Sequence, residues 1–287
     1  MATKPTDVGT VLSIWRYPVK SMMGEELNAT HVGERGILGD RARAMIDQAD
    51  RKVASMKNPR KWPNLFDFQA RYLDTPSPGK NLPPVRISLP DGAEVDSNDP
   101  DVETVLSRAV GKDVRLECRE PGQEEVLETT FPNPWTPSLE EYWPDIEGLA
   151  YRDEVTDEAM PRGTFFDLGI LHLLTTATLD QLRSLNPSAR FETRRFRPNL
   201  VLQPADGQSG FVENDWIGKT IVIGDDVRLE ITGPCPRCVM TTLPQGDLPK
   251  DTSVLRTVAQ HNEVNVGVYA SVGHGGMVRR GDRVRIE

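Results

Sequence analysis

The chain has 287 residues, 37% hydrophobic and 27% charged, with a formal net charge of −9 and an isoelectric point near 5.1. That length suffices for one large domain or two modest ones, and the acidic balance argues against a nucleic-acid or anionic-membrane partner. Three cysteines make no disulfide framework, no apolar run approaches the roughly 20 residues of a membrane span, and the polar first ten residues lack a signal core; a cytoplasmic protein is expected.

In chain order, Val8 to Val19 predicts a strand ending at Tyr17-Pro18-Val19-Lys20-Ser21, because Pro18 removes a backbone donor. Just past it, Lys20 and Ser21 could offer a cation and a hydroxyl to an anionic ligand, or sit in a solvated turn. The glycine-rich stretch Gly33 to Arg41 leads into a strand over Ala42 to Ile46. Arg41 at its start is a second candidate anion ligand, or a partner for Asp40. Further strands are predicted at Lys52 to Met56, Leu65 to Leu73 and Val85 to Leu89, the last turning at Pro90-Asp91-Gly92. Pro100 opens a short helix that runs to Val110 and stops at Gly111. Val114 to Cys118 returns to strand, with Cys118 on the core face.

From Glu120 to Arg162 the chain is acidic and proline-rich with no clean period, which suggests a segment connecting or covering two β-rich halves. Beyond the apolar run Leu168 to Leu174, a helix is expected over Leu179 to Leu185, capped by Thr176 or Thr178 and stopped by Asn186-Pro187. His172 reads as a satisfied core histidine. Arg194, Arg195 and Arg197 crowd the entrance to a strand at Leu200 to Gln203. Buried and unpaired they would repel one another, so solvent or an anion such as phosphate is expected beside them. A hairpin turning at Gly224-Asp225-Asp226, a helix over Ser253 to His261, and strands at Val264 to Val272 and Val278 to Ile286 complete the chain. The fold class is mainly β with short helices (α+β), of barrel type rather than doubly wound. Neither a dinucleotide fingerprint nor a Walker loop is present.

Gly233 to Thr242 holds two of the three cysteines, Cys235 and Cys238, with Arg237 between them. Val227 to Ile231 reads as a strand that Thr232-Gly233-Pro234 breaks. A redox Cys-x-x-Cys normally opens a helix, whereas β-branched Val239, Thr241 and Thr242 favour a strand. A structural zinc site needs four ligands, and Cys118 with His31, His172, His261 and His274 shows no paired spacing. A single thiolate on a soft transition metal, with Arg237 beside it for an anion, remains open. So does a pair of packed cysteines.

Taken together, Tyr17-Pro18-Val19-Lys20-Ser21, Gly39-Asp40-Arg41, Phe196-Arg197-Pro198-Asn199, Cys235-Pro236-Arg237-Cys238 with Thr241-Thr242, Gly267-Val268-Tyr269 and Gly281-Asp282 resemble the MOSC family in its long form. That group includes the mitochondrial amidoxime-reducing components. The resemblance implies a MOSC β-barrel plus an N-terminal β-barrel-like domain, with the N-terminal part over residues 1–125 and the MOSC part over 126–287. Within the latter, 126–163 would connect or cover and 164–287 would form the core.

The same resemblance implies a molybdenum cofactor, a pterin dithiolene bearing a phosphate, with Cys238 as thiolate ligand at the catalytic metal. Lys20, Ser21, Arg41, Gly169, Arg197, Asn199, Pro236, Arg237 and Tyr269 match cofactor-contacting positions, and Cys235 is not expected to ligate. The family's broad description also includes pyridoxal phosphate binding. Relatives place Thr-Ser after the aspartate matching Asp167, where this chain has Leu168-Gly169, so the backbone of Gly169 would serve there. The implied activity is reduction of N-hydroxylated small molecules (amidoximes, hydroxylamines, N-hydroxylated base analogues) by oxygen transfer to molybdenum. No cysteine-rich cluster motif is present, so electrons are expected from a separate ferredoxin- or cytochrome b5-like protein with its reductase. The alternatives are a molybdenum-cofactor carrier or sulfur-transfer protein without turnover, and a β-barrel binding module with merely buried cysteines.

Overall fold

A computed structural model describes residues 6–119, 138–150, 152–160 and 164–287. The N-terminal elements are β1 (Thr6–Arg16), β2 (Glu25–Leu27), β3 (Ala29–Gly33), β4 (Gly36–Ile37), β5 (Arg43–Asp47), β6 (Gln69–Tyr72), β7 (Val85–Ser88), β8 (Glu94–Asp96), α1 (Val102–Val110) and β9 (Val114–Cys118). A hairpin of β10 (Ser138–Trp143) and β11 (Glu154–Ala159) follows, then β12 (Leu171–Thr175), α2 (Thr176–Leu185), α3 (Thr193–Phe196), β13 (Leu200–Pro204), β14 (Thr220–Ile223) and β15 (Val227–Pro236). The chain closes with α4 (Ser253–Asn262), β16 (Asn265–His274), β17 (Gly276–Arg279) and β18 (Arg283–Ile286).

Seven strands close a barrel in the order β13-β12-β16-β15-β14-β18-β1, with β1 pairing back to β13 and β2 added outside on β1. Inward positions alternate along each strand, as a small filled barrel requires: Val11, Ile14, Leu171, Leu173, Ile221, Ile223, Leu229 and Ile231 are buried together. β1 is therefore a stave of a barrel made otherwise of C-terminal strands, and β3 likewise pairs with β17. A second core gathers β5 to β9 and α1 around Met45, Phe68, Ile87 and Leu106. Val239 and Leu243 are buried in that same core. The segment after Cys238 thus plugs into the N-terminal core while β15 before it belongs to the barrel, and Cys238 is held at the seam.

Several local expectations change. Val239–Thr242 is a short 3-10 turn rather than a strand. The Thr241 and Thr242 hydroxyls donate back to the carbonyls of Cys238 and Val239 at 3.0 and 2.7 Å, a local bond that competes with strand pairing. β15 is not broken at Gly233-Pro234; it runs on to Pro236 with shifted register, since proline offers no ladder donor. Lys52 to Met56 makes only an isolated bridge between Val53 and Ile46, and Leu65–Asp67 is a 3-10 turn leading into β6. The cap of α2 is Thr175, whose hydroxyl accepts from the Thr178 amide at 3.2 Å. Arg194 and Arg195 lie in α3. Part of the expected covering segment is the β10–β11 hairpin; residues 120–137, 151 and 161–163 of it lie outside the described residues.

Candidate functional site

All the sequence-predicted positions except Pro236 and Cys238 line one small cavity of about 70 Å³. Pro236 and Cys238 line a larger adjoining cavity of about 510 Å³, and the two share Asp167, Leu168, Arg237, Met240 and Tyr269 as their common wall. The loop after β1 brings Lys20 and Ser21, the turn before β5 brings Arg41, the αL residue between α3 and β13 is Arg197 with φ 51°, and β16 carries Tyr269.

The cations in the small cavity differ in how they are held. Lys20 Nζ donates to Asp167 Oδ1 at 2.6 Å and to the Phe165 carbonyl at 2.8 Å. Burial favours a neutral Lys20 amine, and Asp167 opposes that pull. Burial also favours a neutral Asp167, but Lys20 and Lys57 outweigh it and hold its carboxyl well below the usual range. Arg41 Nη1 donates to Asp40 Oδ2. Outside this cavity, Arg194 pairs with Glu192 and Asp247, and fully buried Arg195 donates to the carbonyls of Arg190, Thr241, Leu243 and Pro249.

Arg197 is different. Its Nη1 and Nη2 atoms are buried without a hydrogen-bond partner, and its guanidinium lies 4.1 Å above the Tyr17 ring, which Arg41 also faces at 4.9 Å. Burial pulls the Arg197 guanidinium down to about 10 despite the Tyr17 contact. Burial likewise pushes the Tyr17 phenol up to about 12, so the ring stays neutral between two cations. Arg237 has Nη1 on the Cys235 sulfur at 2.7 Å and Nη2 on the Phe196 carbonyl at 2.9 Å, while its Nε is buried without a partner. Three guanidinium nitrogens therefore face inward with no protein acceptor among the described residues. Uncompensated buried donors of this kind are costly. They fit an anionic group such as a phosphate, which guanidinium meets in bidentate fashion.

The two cysteines occupy opposite environments. Cys235 is fully buried; burial raises its thiol, but Arg237 and His172 prevail and bring it down to about 6. Cys238 reaches the larger cavity, and burial, with Glu141 nearby, pushes its thiol up to about 12. His172 is buried with Nε2 at 2.9 Å from the Val266 carbonyl, the satisfied core role expected. Asn199 lines the small cavity, but its side chain is already engaged: Nδ2 donates to Asp40 Oδ2 at 2.9 Å and Oδ1 accepts from the His172 amide at 3.1 Å. It braces the site. Ser21 Oγ accepts from the Met56 amide at 3.1 Å, leaving its own proton available.

Residues 164–285 match the MOSC domain and residues 8–124 match the MOSC N-terminal beta barrel domain. The chain belongs to the MOSC family. Mitochondrial amidoxime reducing component 2 of Rattus norvegicus is 25% identical over 299 residues, spanning 96% of this chain and 83% of its own. Molybdenum cofactor sulfurase of Homo sapiens is 24% identical over 281 residues, which are 90% of this chain and 29% of that protein. The solved YUAD protein from Bacillus subtilis aligns over 97% of this chain and 95% of its own, with a TM-score of 0.47 and 10% sequence identity.

For this MOSC chain, the matched segments follow chain order while the packing does not, because β1 from the N-terminal match closes the barrel. Sequence reasoning offered the Arg41–Asp40 pair as one alternative but overlooked three contributors, Tyr17, Lys57 and Glu141. Tyr17 and Asp40 sit inside recognised motifs, yet nothing local shows that one ring receives two guanidinium groups or that the Asp40 carboxylate also holds Asn199 and the Tyr17 amide. Lys57 and Glu141, paired at 2.6 Å in the wall beside Cys238, carry no signal in the sequence.

Proposed function

We propose that this MOSC chain is a molybdenum-cofactor-dependent oxidoreductase that reduces N-hydroxylated small molecules such as amidoximes, hydroxylamines and N-hydroxylated base analogues. The observation that carries this reading is the set of buried, partnerless guanidinium nitrogens on Arg197 and Arg237 beside the Cys238 cavity. Arg197, Arg237, Arg41 and Lys20 would hold the anionic part of the cofactor, Tyr269 and the Gly169 backbone would pack against it, and the Cys238 sulfur would ligate the metal. Because the Cys238 thiol is pushed up to about 12, metal binding has to displace its proton. The bound group would supply the two-electron chemistry; in the overall reaction an N-hydroxyl group, two electrons and two protons yield an amine and water. The electrons would come from a separate ferredoxin- or cytochrome b5-like donor with its reductase, in the cytoplasm. The similarity to an amidoxime reducing component over 96% of the chain supports this reading.

The similarity to a molybdenum cofactor sulfurase favours a second reading, a cofactor carrier or sulfur-transfer protein. Molybdenum and pterin content of wild type beside Cys238→Ala, from a cofactor-producing host, followed by reductase assays with an added electron-transfer chain, tests both. Near-stoichiometric molybdenum in the wild type, reduced retention in the variant and turnover of an N-hydroxylated compound are expected. Molybdenum without turnover selects the carrier; neither molybdenum nor pterin overturns both.

A further inference from the structure

The larger cavity has a composition of its own. At about 510 Å³ it lies in the range that encloses small organic molecules. Leu139, Trp143, Leu149, Met160, Leu168 and Val264 give it an apolar wall, and Cys238 opens into it. Two cations line it among the described residues, Arg237 and Lys57. Arg237 has its Nη atoms bound to Cys235 and Phe196. Among the described residues Lys57 Nζ has a single acceptor, Glu141 Oε2 at 2.6 Å, which leaves two of its three ammonium protons without a partner there. Its side chain is 13% exposed and that of Glu141 is 5% exposed.

Lys57 is also rigidly placed. Its carbonyl accepts from the Tyr142 amide of β10 at 2.8 Å, and the preceding Met56 amide is held by Ser21 Oγ. The backbone at Lys57 is thus tied both to the hairpin wall and to the loop that shapes the small cavity, and the ammonium itself is held by Glu141 of that hairpin. Burial favours its neutral form, but Asp167 and the hydrogen-bonded Glu141 oppose that and keep it charged. Glu158 and Glu263 also line the chamber, which disfavours an anionic molecule and suits a neutral one.

We infer that this chamber is the substrate site and that the Lys57 ammonium, steadied by Glu141, is the hydrogen-bond donor that recognises the oxygen of an N–O group on a neutral, otherwise apolar molecule. The inference rests on the reductase reading above. Its chemistry is simple: a desolvated ammonium donates a charge-assisted hydrogen bond to the N–O oxygen, and a molecule lacking that oxygen forgoes it. The apolar wall binds both compounds alike.

The test compares N-phenylhydroxylamine with aniline, which differ by that one oxygen, on cofactor-loaded protein without reductant. Binding is measured by calorimetry for wild type and Lys57→Met at equal molybdenum content. The expected result is at least tenfold weaker binding of the hydroxylamine by the variant, with aniline affinity held within twofold. With an electron donor added, KM for the hydroxylamine rises in parallel. Because Lys57→Met leaves Glu141 buried without its cation, the double variant Lys57→Met/Glu141→Leu is measured as well and is expected to behave in the same way. Unchanged hydroxylamine affinity in either folded, molybdenum-loaded variant overturns the inference and leaves the reductase reading intact. A wild type devoid of molybdenum overturns that reading instead.

Discussion

Arg237 Nη1 lies 2.7 Å from the Cys235 sulfur, and this contact separates the roles of the two cysteines. The guanidinium and His172 draw the Cys235 thiol down to about 6 while Cys238 is pushed up to about 12. In the cofactor-free protein, the thiolate absorbance near 240 nm at pH 7.5 should therefore vanish in Cys235→Ser and persist in Cys238→Ser. Stability follows with a definite sign. A thiol whose folded value lies below its ordinary value of 9.0 adds stability that is complete above that value and is lost as pH falls towards 6. Denaturant midpoints of wild type and Cys235→Ala should consequently diverge between pH 6 and 9 and converge below. Equal separation at every pH would show that Cys235 stays a thiol.

Arg197 is a liability to the fold that a bound anion would relieve. Its Nη atoms are buried without partners, and an uncompensated buried cation generally costs more than an apolar residue of similar volume. Arg197→Met should leave the cofactor-free protein as stable as wild type or about 1 kcal/mol more so, while molybdenum retention falls at least tenfold. Urea melts and metal analysis on the same preparations check the two halves. Full molybdenum retention would remove Arg197 from the binding set.

Asp167 holds Lys20 at 2.6 Å, and its side chain is 33% exposed. Asp167→Asn removes the carboxylate paired with a Lys20 whose side chain is 5% exposed. Breaking a fully buried pair costs roughly 3–5 kcal/mol; solvent access to Asp167 reduces the expected loss to about 2 kcal/mol. Because its carboxyl titrates well below the usual range, the wild type should lose this contribution as pH drops through the acid region, whereas Asp167→Asn should show a flatter acid limb. Urea titrations at pH 2, 3.5 and 7 measure both, with most of the loss expected between pH 3.5 and 2.

Gly169 has no room for a side chain. A Cβ there would stand 2.4 Å from Tyr269 Cδ1 and 2.5 Å from its Cγ. Gly169→Ser should therefore move the Tyr269 ring and destabilise the chain by about 1–3 kcal/mol. The paired variant Gly169→Ser/Tyr269→Ala should recover part of that loss, because the clashing ring is gone. Thermal melts of the three proteins decide; additive losses would mean that the ring is not the obstacle.

Much of the local structure was legible, and for a plain reason. β1, β7, β9 and β14 carry alternating or β-branched runs bounded by glycine or proline, and α1 ends at Gly111, whose φ of 71° is the left-handed conformation glycine adopts freely. The 3-10 turn at Val239–Thr242 was misread because two threonines favour strands only while their hydroxyls have no nearer acceptor, and here the carbonyls three residues back supply one. The β10–β11 hairpin escaped notice because its strands read Ser-Leu-Glu-Glu-Tyr-Trp and Glu-Val-Thr-Asp-Glu-Ala, with charges that look solvated. Glu141 is nonetheless buried, because Lys57 waits opposite.

By itself the sequence determined which side chains are present for chemistry: a thiol at Cys238 with an arginine before it, and cations at Lys20, Arg41 and Arg197 in motifs short enough to be recognised. Only the tertiary structure decided how each charge is satisfied. It paired Lys20 with Asp167, Arg41 with Asp40 and Arg194 with Glu192 and Asp247, and it gave Arg195 four carbonyls. It left the Arg197 Nη atoms buried with no acceptor among the described residues. A residue's identity sets its charge and donors locally, but burial and the distance to an opposite charge depend on strands far apart in the chain. Here they depend on a barrel closed by β1 against β13 and on a cysteine segment rooted in both cores.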